Sequence, residues 1–198
     1  MSRNNIKTEY REFKKQQKKR ALHDTPNEAA IKIELLKPLP QREQAMACFL
    51  YLTGARVGEM VKAKRKDLAF ENLSVNTEHG KKIMKVFIVT LHTEKNKKQK
   101  IRRVANLKER NLWVIRPIIK YAGNLAEEDL LFPFSTRHIR RLNWKWFNFN
   151  PHHWRHIRNT HLIGKFGWSV EKRMKYFGWS DPRSAQSYDH TNWKEAVG

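Results

Sequence analysis

The chain has 198 residues, 39% of them hydrophobic and 11% aromatic, enough for one domain with a real core and too apolar for a disordered tail. It carries 41 Lys and Arg against 19 Asp and Glu, a formal charge of +22, and a single cysteine. That charge points to a polyanionic partner, nucleic acid first, because each neutralised phosphate releases counterions. One thiol excludes an internal disulfide framework and any zinc site with two or more thiolates. No stretch approaches the ~20 apolar residues of a membrane helix, and the basic start lacks the apolar centre of a signal peptide. A cytoplasmic, DNA-associated protein is therefore expected.

Residues 1–24 hold eight Lys or Arg, among them Lys14, Lys15, Lys18, Lys19 and Arg20, and few apolar residues. They read as a basic arm or linker ahead of one domain over 25–198. Thr25, Pro26 and Glu28 form a helix-start pattern, and a helix is expected to Leu36, where Pro38 and Pro40 follow. A second helix is predicted over about Gln41 to Leu52, with Ala45, Cys48, Phe49 and Leu52 on one face and Gly54 as its breaker. Another should start near Val57. Strand character runs from Lys82 to His92, with a turn over Glu94 to Lys97 and a return strand over Ile101 to Val104. The result is a small antiparallel hairpin with a basic tip. Helix resumes from Glu109 to Tyr121. Ser135 and Thr136 can cap a helix to about Phe147, Asn150 and Pro151 open the next, Ser169 another, and Asp181 and Pro182 the last.

Three constellations stand out. In Pro151-His152-His153-Trp154-Arg155, His152 and Arg155 lie at i and i+3 and share a helix face, an arrangement that suits a phosphate or an ordinary solvated basic surface. In Gly54-Ala55-Arg56-Val57-Gly58-Glu59, the connection can aim a guanidinium at an anion, with Glu59 as its brace. Tyr188 lies nine positions beyond Trp179, on an expected short helix; its phenol is a core hydroxyl or a nucleophile. His152, His153, His156 and His161 crowd one region, but the carboxylates of a hydrolytic metal site are not evident beside them.

Taken together in this order, these segments resemble the tyrosine recombinase (phage integrase) family, over roughly residues 25–190. The Gly-x-Arg-x-x-Glu motif matches Gly54 to Glu59, the His-x-x-Arg motif matches His152 to Arg155, and the Gly-His/Trp step with its later tyrosine matches Gly178, Trp179 and Tyr188. A Leu-Phe-Pro element is present at Leu131 to Pro133. The resemblance implies an α+β, mainly α-helical catalytic fold with a small antiparallel sheet.

It also implies chemistry. Tyr188 would be the nucleophile that forms a 3′-phosphotyrosine link. Arg56, Arg155, His152 and Trp179 would hold the scissile phosphate, with Glu59 in support. A hairpin lysine, Lys95 or alternatively Lys97, would protonate the leaving oxygen. Lys97, Lys98, Lys100, Arg137, Arg140 and Arg141 are the expected DNA contacts. Neither metal, cofactor nor ATP is implied. The implied partner is double-stranded DNA with a specific attachment site, bound by a homotetramer on synapsed duplexes that is a monomer in free solution. Integration or excision of a mobile element, viral or plasmid, is the expected use. The alternatives are a DNA-binding regulator derived from a recombinase, or relaxation of DNA in the manner of a type IB topoisomerase. Two departures are visible: Trp179 stands where the family often has His, and the usual N-terminal helical domain is not evident, as expected of a catalytic fragment or of a short single-domain recombinase.

Overall fold

A computed structural model describes residues 27–77, 80–95 and 98–186. The basic arm, the Thr25-Pro26 helix start, Lys97, Tyr188 and everything after Tyr188 lie outside the described residues. Within them the chain is mainly helical, with one three-stranded antiparallel sheet in the order β1-β2-β3.

Helix α1 spans Glu28–Leu36, and its cap is Asn27, whose side chain accepts from the Ala30 amide at 2.9 Å. The Asn27 carboxamide lies three residues before the amide it serves, the ordinary reach of an asparagine cap. Helix α2 spans Gln41–Thr53 and ends at Gly54 in the left-handed conformation, φ 55°. Every residue of α2 from Ala45 to Thr53 is buried, so the one-sided face expected for it is in fact a face all round. This is the central helix, packed against α4 (Lys108–Ala122) and α6 (His152–Gly164). The short α3 is Val57–Met60.

Strands β1 (Leu68–Thr77), β2 (Gly80–Lys95) and β3 (Lys98–Leu107) form the sheet. β1 was not anticipated, and β2 and β3 run longer than their apolar stretches. Backbone pairing extends the hairpin until Lys95 faces Lys98. Because side chains alternate along a strand, Arg102, Val104 and Asn106 share the buried side of β3.

Helices α5 (Thr136–Phe147), α7 (Val170–Phe177) and the short α8 (Arg183–Gln186) complete the described chain. Ser135 and Ser169 cap α5 and α7 as expected, each accepting from the amide three residues on. Trp154 fixes the rotation of α6: its ring is fully buried against Phe147 and Phe149, and its indole N–H donates to Asn143 on α5 at 2.7 Å. With 100° per residue, that anchor sends His152 outward and Arg155 inward. Cys48 is buried, and loss of hydration pushes its thiol up to about 12. No described helix is long and apolar enough to cross a membrane.

Candidate active site

An open cleft of about 1440 Å³ lies where α3, β3, the start of α6 and the end of α7 meet. Arg56, Glu59, His152 and Trp179 all line it, together with Lys62, His92, Arg102, Arg103, Arg140 and Lys175. Its wall is therefore strongly cationic, which suits an anionic ligand.

Arg56 stands at the N-terminus of α3 with its side chain half exposed. Glu59 is buried and serves it twice. One carboxylate oxygen accepts from the Arg56 amide at 2.8 Å, and the other accepts from its guanidinium at 3.2 Å. The bracing expected of Glu59 is thus present as geometry, with a second cation behind it: Arg102 donates to Glu59 Oε2 at 2.8 Å.

Arg155 is fully buried behind the cleft wall. It donates to the Gly54 carbonyl at 2.7 Å and to the Phe177 carbonyl at 2.5 Å. Those oxygens lie two residues before Arg56 and two before Trp179. The guanidinium also stacks on the rings of Phe177 and Trp179, at 4.8 and 5.0 Å from their centres. One arginine therefore clamps the two segments that carry Arg56 and Trp179. Sequence spacing placed His152 and Arg155 on a common face; the packing puts the histidine at the cleft and the arginine beneath it.

His152 is exposed at the start of α6, where its amide donates to the Asn150 side chain at 3.0 Å. Its pKa is lowered, first by partial loss of hydration and then by the charges of Arg155 and Arg56. Lost hydration and the neighbouring guanidinium charges thus both disfavour the protonated ring. Arg56→Ala is expected to raise the His152 titration midpoint toward its ordinary value without reaching it, since lost hydration is the larger cause. An NMR titration that finds no upward movement would contradict this electrostatic link.

Trp179 follows Gly178, which ends α7 at φ 66°. The Trp179 amide donates back to the Met174 carbonyl at 3.0 Å, closing a left-handed helix cap, and its ring stacks on Phe177 at 4.6 Å. Trp179 thereby lines the cleft beside Gly178 and Ser180.

The other expected residues are distributed as follows. Lys95 is the last residue of β2, and Lys98 and Lys100 lie on β3. Arg137, Arg140 and Arg141 are exposed on α5. Arg140 borders the main cleft, while Arg137 and Arg141 border a separate depression beside Ser135 and His138. Arg102 was missed. The strand alternation that buries Val104 on the same side of β3 was the available signal.

The phage integrase family model matches residues 11–195. Among solved structures, the chain is similar to the XerH site-specific recombinase bound to difH substrate in a pre-cleavage complex. The identity there is 18% and the TM-score 0.59, over 87% of this chain and 51% of that one. It is similar to XerA recombinase at 20% identity and TM-score 0.56, over 87% of this chain and 60% of that one. It is also similar to the Tn1549 transposon integrase in complex with transposon right end DNA, at 18% identity and TM-score 0.53, over 87% of this chain and 63% of that one. At these identities the likeness is one of fold. The chain spans 51% to 63% of the length of those three chains. Comparison with curated proteins gives no match.

Proposed function

The chain belongs to the phage integrase family, and from that premise we propose that it is a tyrosine site-specific recombinase that cuts and rejoins DNA through Tyr188. The observation that carries the reading is the convergence of Arg56, His152 and Trp179 on one cationic cleft, with Glu59 bracing Arg56 and Arg155 tying together the segments that carry Arg56 and Trp179.

The chemistry follows from those positions. A scissile phosphate seated in the cleft meets the Arg56 guanidinium and the Trp179 indole N–H at its non-bridging oxygens. The buried charge of Arg155 adds positive potential beneath them. Donors fixed before the reaction stabilise the charge that grows on the five-coordinate phosphorus without reorganising. The Tyr188 phenol oxygen attacks phosphorus in line, and its proton passes to a base, the role proposed for His152. The bond to the 5′-oxygen breaks, and Lys95 or Lys97 supplies the proton that makes it a hydroxyl. The phosphotyrosine ester retains the energy of the broken bond. A 5′-hydroxyl of a partner strand then reverses the step, with neither ATP nor metal.

The proposed partner is double-stranded DNA with a specific attachment site, engaged by four copies on two duplexes. Lys97, Lys98, Lys100, Arg137, Arg140 and Arg141 are the proposed backbone contacts, which position the protein without specifying sequence. Integration or excision of a mobile element is the proposed use.

The test is a denaturing gel of the protein incubated with a duplex that it binds tightly, nicked near the cleavage point. A covalent adduct that disappears in Tyr188→Phe supports the reading. Tight, salt-sensitive binding with no adduct from the wild type would instead mark a DNA-binding regulator.

A further inference from the structure

We propose that Arg102 is a positioning residue that keeps the charge of Arg56 available to the phosphate and locks β3 to the segments carrying Arg56 and Trp179. This inference rests on the reading of the cleft given above.

Arg102 sits on the buried side of β3, paired across the sheet with Leu91. Its guanidinium makes three bonds to three separate segments. It donates to Glu59 Oε2 at 2.8 Å, to the Thr53 carbonyl at 3.2 Å and to the Tyr176 carbonyl at 2.6 Å. The third of these segments is also shaped around it. A Cβ at Gly178 would lie 2.8 Å from the Arg102 Cδ, so the chain just before Trp179 crosses directly over this side chain.

The charge count gives the reason for a second arginine. A buried carboxylate is costly unless paired, and Glu59 paired with Arg56 alone would spend the Arg56 charge on itself. With Arg102 on Glu59 Oε2 and Arg56 on Oε1, the trio carries one net positive charge. Arg102 is almost fully buried, whereas Arg56 is half exposed at the cleft. The net charge is therefore presented through Arg56. Arg102 offsets the brace, and Arg56 remains directed at the ligand.

The experiment uses the full chain and a duplex selected by the wild-type protein from a randomised pool. Affinity is measured for wild type, Arg56→Ala, Arg102→Lys, Arg102→Met and the two double variants, with thermal unfolding as the check on folding. Arg102→Met leaves the Thr53 and Tyr176 carbonyls without this donor, so Arg102→Lys carries the cycle if the methionine variant does not fold. Arg56→Ala is expected to weaken binding about tenfold, the scale of one charge-assisted contact. A change at Arg102 should weaken it by no more than that, and should cost nothing further once Arg56 is gone. Additive losses would overturn the proposal. A second readout compares adduct formation on an ordinary scissile phosphate and on a neutral methylphosphonate. The Arg102→Lys defect should shrink on the methylphosphonate, where the charge served by Arg56 is missing; an equal defect on both would mark a merely structural role and overturn the proposal. Absence of any adduct from the wild type would sink the recombinase reading, while the binding cycle would still decide the role of Arg102.

Discussion

Arg155→Ala is expected to cost about 4 kcal/mol of stability, from two carbonyls left without donors and a lost cation stack, and to abolish DNA cleavage. The side chain is fully buried, and it donates to the oxygens of Gly54 and Phe177. Alanine removes both donors at once. A loss of that size is a large share of the roughly 5–15 kcal/mol of a whole domain. Arg155→Lys should fall between, because one ammonium cannot reproduce a planar fork spanning two segments. Urea unfolding of the three proteins measures the effect. An alanine variant within about 1 kcal/mol of wild type, the scale of an ordinary surface change, would show that the clamp does not hold the site together.

Gly54→Ala is expected to destabilise by about 3 kcal/mol, through left-handed strain and overpacking together, and to depress catalysis beyond what the lost stability explains. Gly54 has φ +55°, and a Cβ there would lie 2.4 Å from the Phe177 ring. The ring cannot yield freely, because it stacks on Trp179 and supports the Arg155 guanidinium. A single methyl group would therefore push on Trp179 from one side and move Arg56, two residues on, from the other. Gly58→Ala is the matched control. It lies in the same motif, has nothing within 4 Å of its added Cβ, and should be neutral or slightly stabilising. Equal thermal shifts for the two variants would remove the steric argument.

Local chemistry was the legible part of the sequence. The caps at Ser135 and Ser169 and the break at Gly54 depend on residues within one helical turn, and all three stand where their side chains or conformational freedom suggest. What depends on partners distant in sequence was harder to read. Strand β1 carries Glu71, Asn72 and Ser74 and pairs along its length with β2; much of it is exposed, so no clean alternation announces it. The burial of α2 on all sides reflects α4 and α6 packed around it, which no periodicity within Gln41–Thr53 could reveal.

The site shows the same division. Motif spacing brought Arg56, Glu59, His152 and Trp179 to attention, and they do share a cleft. Depth was not encoded in the spacing. Arg155 and Arg102 look like surface cations in a chain of +22, yet both are buried and bonded to backbone carbonyls. The overall charge obscured them, because one basic residue among many carries no mark of burial except the apolar neighbours that share its face.

The most direct test of the account is to digest the trapped protein–DNA adduct and locate the nucleotide-bearing peptide by mass spectrometry, for wild type and for Arg56→Ala. The account predicts that the nucleotide is attached to Tyr188 through a 3′-phosphate, and that Arg56→Ala yields at most a trace of the same peptide. A nucleotide attached to any other residue, or an undiminished yield without Arg56, would contradict the claim that this cleft serves Tyr188.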